Sequence, residues 1–162
     1  MAGLPRLLSV SPGDAPCTID VVWENGGAER IDMTGVITRE PAFAALRDPA
    51  AFRQVRLAQW GWGIEWPMGL DYAPDTLFRL AEAQRPMTAD DFRAWQLGLG
   101  LSNRETADLL DRGVSTIKSY RNGETAIPRS VALACRAMAR DAVTLSALYR
   151  PRHAGKPPRE AA

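Results

Sequence analysis

Residues 101–124 read LSNRETADLLDRGVSTIKSYRNGE and decide the fold of the second half of the chain. Ser102 and Glu105 have the spacing of a capping box, in which each side chain accepts a hydrogen bond from the other residue's amide at the start of a helix. A second helical pattern, with Ile117 and Tyr120 facing inward, follows almost immediately. The stretch therefore predicts two short helices separated by a turn of three or four residues.

Helical periodicity continues on both sides of this pair. Upstream, Thr88 and Asp91 form a capping box with Asp in place of Glu. The inward stripe of the helix that follows consists of Phe92, Trp95 and Leu99. Downstream, Pro128 suits the first position of a fourth helix, since proline needs no amide partner there. The inward positions of that helix are Ile127, Val131, Ala134 and Met138. Because no strand pattern follows Pro86, the second half is predicted to be all-helical.

Residues 101–124 resemble, without a gap, the helix-turn-helix of the lambda-repressor-like (Xre) family. The matching positions are Leu101 and Ser102 at the entry, Ala107 at the helix crossing, Leu110 and Ile117 in the core, and Asn122 with Gly123 at the exit. In such a unit the second helix enters the major groove of DNA. The resemblance implies a sequence-specific transcriptional regulator, a repressor, whose partner is double-stranded DNA.

The turn departs from the family pattern at three positions. Asp111 and Arg112 stand where the family has Gly and then an apolar residue, and Gly113 replaces the usual Ser or Thr cap. Asp tolerates a left-handed turn at modest cost, and the stem of Arg112 can cover apolar surface. The recognition helix is predicted over about residues 114–121, with Ser115 as an alternative start because Gly113 offers no side-chain cap.

The resemblance places the front of the recognition helix against base edges. The candidate base-reading residues are Val114, Ser115, Thr116, Lys118 and Ser119. Lys118 can donate to guanine, the hydroxyls can pair with either base type, and Val114 can contact a thymine methyl group. The candidate phosphate contacts are Asn103, Arg104, Arg121, Asn122 and Arg129. Alternatively, these cations are only the solvated face of a structural bundle.

The first half of the chain has strand-like patterns. Thr18–Glu24 and Ala28–Met33 flank residues 25–27, Asn-Gly-Gly, which accept the positive φ of a tight hairpin turn. Trp60, Trp62, Ile64 and Trp66 alternate with small or polar residues, so period two predicts one face of a strand. We interpret this row as core under a helix, and an aromatic platform for a ligand, a partner or stacked bases is the alternative. A helix is predicted over Pro74–Ala83.

This half resembles a family of small bacterial α+β domains of uncharacterised function, which occur alone or ahead of this type of helix-turn-helix. The resembling stretches are PRLLSV (5–10), the hairpin, PAFAALRDPAAFRQV (41–55) and GIEWPMGLDYAPDTL (63–77). Some members look like partners of neighbouring toxin genes. The alternative function is therefore an antitoxin-like module that binds a partner protein through this domain, with or without DNA binding that regulates its own operon.

The predicted fold class is α+β in three parts. Residues 1–84 form a small antiparallel-sheet domain that serves a ligand, a partner or dimerisation, residues 85–149 form a lambda-repressor-like domain of four to five helices, and residues 150–162 form a disordered basic tail. Up to Arg85 the chain carries 8 Arg against 11 Asp or Glu, and beyond it 12 Lys or Arg against 8 Asp or Glu, which gives charges of −3 and +4. A basic half is typical of nucleic-acid binding.

Neither catalysis nor a metal or cofactor site is expected. His153, the only histidine, lies in the predicted tail, which excludes a histidine-based triad. The carboxylates that lie near one another in sequence are Glu65, Asp71 and Asp75, and solvated or capping roles suit them better than acid-base or metal chemistry. Cys17 and Cys135 have no thiol or histidine at metal-ligand spacing, so both are predicted to be small buried side chains.

Location and assembly follow from length and spacing. No apolar run approaches the roughly 20 residues that span a bilayer, and Met1–Val10 lacks the apolar stretch of a signal peptide. A cytoplasmic protein without membrane contact is therefore expected. One helix-turn-helix contacts few bases, so a homodimer on two half-sites is predicted, with a monomer as the alternative. Asp141–Tyr149, which carries Val143, Leu145 and Leu148, or the first domain would supply the dimer surface.

Overall fold

The predicted hairpin is present in the computed structural model, which describes residues 6–152, and it supplies the central strand and one edge strand of a three-stranded sheet. Its two strands pair antiparallel from Thr18 opposite Asp32 to Val22 opposite Ala28. At the turn, Gly26 has a φ of 85°, a value that a residue without Cβ adopts readily. The hairpin prediction is confirmed.

Six strands and three α-helices lie within residues 6–85. The strands are β1 (Leu7–Pro12), β2 (Thr18–Trp23), β3 (Ala28–Asp32), β4 (Arg56–Leu57), β5 (Ile64–Trp66) and β6 (Leu70–Tyr72), in two antiparallel sheets of order β1-β2-β3 and β4-β5-β6. The α-helices are α1 (Thr34–Arg39), α2 (Pro49–Phe52) and α3 (Pro74–Gln84). Pro41–Arg47 and Gln59–Gly61 form two short 3-10 helices in the same part of the chain.

The core of this part lies between the first sheet and the helices. Its fully buried side chains include Ile19, Ile31, Met33, Leu46, Ile64 and Leu77. Gln84 fastens the end of α3 to β3, because its Nε2 donates to the carbonyl of Asp32 at 2.7 Å and its Oε1 accepts from the Asp32 amide at 2.9 Å. The small α+β unit predicted for the first half is therefore built around a single apolar cluster.

The predicted strand face over Trp60–Trp66 is wrong in its first half. Trp60 lies in a 3-10 helix at a φ of 61°, and Trp60 and Trp62 are 76% and 44% exposed. Ile64 and Trp66 lie on β5 and are buried, as predicted. Gly61 and Gly63 have φ values of 72° and 132°, and these conformations break the period-two alternation before β5 begins.

Five helices lie within residues 86–152. They are α4 (Ala89–Gly98), α5 (Asn103–Leu109), α6 (Val114–Asn122), α7 (Arg129–Arg140) and α8 (Ala142–Leu148). The division of the chain into two compact units falls between Arg85 and Pro86. Together with the first unit, these helices give the α+β class that the sequence predicts. No helix within residues 6–152 combines the length and the apolar character needed to cross a bilayer.

The helical unit has its own apolar cluster. Its buried members are Phe92, Trp95, Ala107, Ile117, Tyr120, Val131, Cys135 and Met138. Phe92 stacks edge-on against Tyr120 of α6, with ring centroids 5.7 Å apart. Of the inward positions predicted for α4 and α7, Phe92, Trp95, Val131 and Met138 are buried. The other three, Leu99, Ile127 and Ala134, are partly buried.

One helix start differs from the prediction by one residue, and another agrees with it. Pro128 is the N-cap of α7 rather than its first residue, since its ψ of 147° is extended. Helix α6 begins at Val114 and not at the alternative Ser115, with Gly113 as an N-cap that makes no side-chain hydrogen bond. Of the predicted tail, residues 150–152 are described, and residues 153–162, with His153, lie outside the described residues.

Candidate nucleic-acid interface

Helices α5 and α6 are joined by a turn of four residues, Leu110–Gly113. Asp111 has a φ of 51°, so it takes the left-handed conformation that the sequence predicts for it. The amide of Arg112 then donates to the carbonyl of Ala107 at 2.9 Å, which ends α5. The Ala107 side chain is buried in the apolar cluster that also contains Ile117 of α6, and its small size allows close approach of the two helices.

The start of α5 carries the predicted capping box. The amide of Ser102 donates to Glu105 Oε2 at 2.8 Å, and the amide of Glu105 donates to Ser102 Oγ at 3.2 Å. Hydrogen bonding of the Glu105 carboxylate to the Ser102 amide, and then to the Ser102 hydroxyl, holds the pKa of Glu105 below its usual value, against a smaller opposing effect of burial. Thr88 and Asp91 make the equivalent pair of bonds at the start of α4, so both capping boxes are confirmed.

A buried polar network joins α4, α5 and α6. Gln96 of α4 is 1% exposed, and its Nε2 donates to Asn103 Oδ1 at 3.1 Å and to Thr106 Oγ1 at 2.9 Å. Its Oε1 accepts from Arg121 Nη1 of α6 at 2.7 Å. Arg121 Nη1 also donates to Asn103 Oδ1 at 3.1 Å. Because a hydrogen bond to a charged group is stronger than a neutral one, this network fixes the relative placement of the three helices.

The network changes the interpretation of two predicted phosphate contacts. Asn103 and Arg121 are half-buried and hydrogen-bonded to each other, whereas Arg104, Asn122 and Arg129 are exposed. Arg93 of α4 further donates to the carbonyl of Arg121. Sequence reasoning missed Gln96. Its only signal was a position beside Trp95 on the inward side of α4, where a polar side chain requires partners.

The predicted base-reading residues share one helix but differ in exposure. Val114, Ser115 and Lys118 are exposed, while Thr116 and Ser119 are half-buried. Ser119 Oγ donates to Glu124 Oε2 at 3.2 Å, which engages its hydroxyl. Ile117 and Tyr120 are buried on the opposite side of α6. The solvent face of α6 thus consists of Val114, Ser115, Lys118 and Asn122.

Arg152 is a second residue that sequence reasoning missed. Its guanidinium bonds to Asp108 Oδ1 at 3.2 Å, Asp111 Oδ1 at 3.3 Å and the Ala107 carbonyl at 2.6 Å, and also to the Arg112 carbonyl. These groups belong to the end of α5 and to the following turn. A basic residue in a proline-rich terminal segment gives no sequence signal for such a contact.

The other candidate groups do not assemble into a site. Glu65 and Asp71 are exposed neighbours on β5 and β6, and Asp75 pairs with Arg79 across one turn of α3 at 3.6 Å. Within residues 6–152, His, Cys, Asp and Glu side chains form no group of three that could hold a metal ion. Cys135 is buried, as predicted, and Cys17 is only half-buried.

Comparisons with known proteins give a family match for the first half of the chain. Residues 7–83 match the sequence model of a family described as a protein of unknown function, DUF2442. The predicted resemblance of the first half to an uncharacterised family is confirmed for these residues. No curated protein matches the chain. A crystal structure from Nitrosomonas europaea, described as a "Putative DNA Binding Protein", is 26% identical over 83% of this chain and 86% of its own, with a TM-score of 0.46. The resemblance of residues 101–124 to the lambda-repressor-like family stays a prediction.

Proposed function

We propose that this protein binds double-stranded DNA through α5 and α6, acting as a helix-turn-helix transcriptional regulator and as a repressor where its site overlaps a promoter. The observation that carries the proposal is the solvent face of α6, which is polar or small while the opposite side is buried. The proposed activity is binding rather than catalysis.

Base readout is assigned to the solvent face of α6. Lys118 donates to guanine acceptors, Ser115 pairs with either base type, and Val114 contacts a thymine methyl group. Thr116 and Ser119 are half-buried and act at the edge of the same face. The four-residue turn and the left-handed Asp111 support this assignment, because a helix-turn-helix requires a short, sharp turn between its two helices.

Phosphate contact is assigned to the exposed members of the predicted set. Arg104 at the start of α5, Asn122 at the end of α6 and Arg129 at the start of α7 are exposed. Phosphate contacts set affinity and register rather than sequence preference. Arg121 and Asn103 contribute by holding α6 against α4 and α5.

A homodimer is part of the proposal, since two half-sites give useful specificity. On α8, Val143 and Leu148 are 71% and 63% exposed, while Leu145 packs against the apolar cluster of the helical unit. Exposed apolar side chains of this size on a short helix suit contact with a second copy. The first unit is the alternative dimer surface.

An antitoxin-like module is the second candidate function. The observation that favours it is the exposure of Trp60 and Trp62 in the first unit, since exposed indoles are enriched at protein interfaces. Affinity purification of the full chain separates the candidates. A small protein recovered at equal stoichiometry, without DNA, supports the interaction module and contradicts the regulator.

The direct test is a titration of the purified protein with its own upstream DNA against nonspecific competitor, across a salt series. Specific binding that survives competitor near physiological salt is expected, with a specificity ratio of at least about 10³. Steep salt dependence without sequence preference would instead reflect only phosphate contacts. Sequence-blind binding, or no binding, to upstream and to randomised DNA contradicts the proposal.

A further inference from the structure

The chain returns to the turn between α5 and α6 after α8 ends. Leu145 packs against the apolar cluster, and Leu148 lines a groove with Leu109 and Leu110. The carboxylates of Glu105 and Asp108 help to raise the pKa of Tyr149, after the larger effect of burial. Residues 145–149 therefore lie alongside α5, and Arg152 lies at the turn after it.

The groups that Arg152 contacts lie at the end of α5 and in the turn that follows it. The Ala107 carbonyl already accepts from the Arg112 amide at 2.9 Å and takes the Arg152 guanidinium as a second donor. The Arg112 carbonyl, which also accepts from Arg152, belongs to the turn itself. The Asp108 side chain is only 12% exposed, so its charge benefits from a cation close by. Asp111, although exposed, is the left-handed residue that reverses the chain.

We propose that Arg152 is a positioning residue that fixes the turn Leu110–Gly113 and thereby the start of α6. One guanidinium joins two carboxylates and two carbonyls around this turn, from a position 40 or more residues away in the chain. Five donors in a planar fork make this possible for arginine, whereas the single ammonium group of lysine cannot span the same set. The consequence for DNA binding rests on the proposed function.

The structural part is tested without DNA, by amide hydrogen exchange of the full chain and its Arg152→Ala variant. Exchange at Asp111–Val114 is expected to accelerate by about tenfold, since local opening no longer breaks the Arg152 bonds. Arg150→Ala is the matched control, because it removes the same charge two residues earlier and leaves the bonds in place. Arg152→Lys is expected to give an intermediate rate.

A double-mutant cycle tests whether Arg152 fixes the turn through its ion pair with Asp108. In an Asp108→Asn background, Arg152→Ala is expected to accelerate exchange at the turn by less than it does in the native chain. Equal acceleration in both backgrounds would show that the Asp108 pair contributes nothing. Unchanged exchange in Arg152→Ala overturns the proposal whatever the protein binds.

DNA binding supplies the functional readout. Arg152→Ala is expected to lower the ratio of specific to nonspecific affinity by about tenfold, because a displaced α6 misaligns base contacts. Arg150→Ala is expected to leave that ratio unchanged. Faster exchange with an unchanged ratio overturns the role in recognition. Faster exchange in a protein that binds no DNA upholds the fixed turn and overturns the proposed function instead.

Discussion

Gln96 Oε1 accepts a hydrogen bond from Arg121 Nη1 at 2.7 Å, across the interface between α4 and α6. Arg121 is predicted from the sequence as a phosphate contact, yet its guanidinium is half-buried and also bonded to Asn103. A neutral amide buried to this degree is stable only with its hydrogen bonds satisfied. The pair therefore orients the candidate recognition helix, which makes its contribution to DNA binding indirect.

Replacement of Gln96 by leucine is expected to destabilise the helical unit by about 1–3 kcal/mol, because Arg121, Asn103 and Thr106 lose a buried partner. The measurement is the free energy of unfolding from urea titration. Gln54→Leu is the matched control, since Gln54 is exposed in the first unit and should cost little. Equal effects of the two substitutions would argue against the network.

Lys118→Ala and Arg129→Ala should separate base readout from phosphate contact. Lys118→Ala is expected to weaken specific binding by about 1–3 kcal/mol and to relax preference at one base position. Arg129→Ala should weaken binding to all sequences alike and reduce the salt slope by about one. Fluorescence anisotropy with specific and randomised duplexes checks both, and a uniform loss in Lys118→Ala would contradict its placement at the bases.

Stability should depend on Glu105 in a pH-dependent way. The pKa of Glu105 is lowered by its hydrogen bonds with the amide and the hydroxyl of Ser102, so the folded state favours the carboxylate. Its stabilisation is therefore present above the unfolded pKa of about 4.3 and is lost as pH falls through the lower folded pKa.

The difference in unfolding free energy between the native protein and Glu105→Gln should accordingly be larger at pH 7 than at the acidic end of a urea series. In a Ser102→Ala background this pH dependence should shrink, because one of the two stabilising bonds is gone. A difference that stays constant with pH would mean that the charge of Glu105 does not contribute.

Gly61 and Gly69 should respond differently to alanine. Both have positive φ, of 72° and 80°, but a Cβ on Gly61 would lie 2.3 Å from the Leu7 carbonyl oxygen, whereas one on Gly69 meets nothing within 4 Å. Gly69→Ala should cost about 1–2 kcal/mol from the left-handed conformation alone. Gly61→Ala should cost about 1–3 kcal/mol more, because the backbone must shift. Urea unfolding of both variants measures this, and equal costs would rule out the close approach to β1.

The two thiols should differ in reactivity. Burial raises the pKa of Cys135 to about 12, and its side chain is fully buried, so almost no thiolate is available in the folded protein. Cys17 is half-buried. Titration with a thiol reagent at pH 8 should therefore modify Cys17 first, and Cys135 only when urea unfolds the helical unit. Rapid labelling of a Cys17→Ser variant in the folded state would contradict this.

Local signals explain why much of the fold could be predicted. The capping boxes at Thr88 and Ser102 and the hairpin turn at Gly26 depend on residues within a few positions of one another, so the sequence alone contains their geometry. The left-handed Asp111 is equally local. Periodicity also separated the buried Ile117 and Tyr120 from the exposed Ser115 and Lys118 on α6.

Long-range contacts decided the remainder. Alternation could not show that Trp60 and Trp62 face solvent, because Gly61 and Gly63 beside them take positive φ values where the chain passes close to β1 and β6. Composition could not show that Arg121 turns inward to Gln96 or that Arg152 reaches Asp108, since each partner lies 25 or more residues away. The sequence alone determined the hairpin, the helices on either side of the turn, the two capping boxes and the exposed face of α6. The tertiary structure decided which arginines hold that helix in place and which remain exposed, because hydrogen-bond partners distant in the chain meet only after folding.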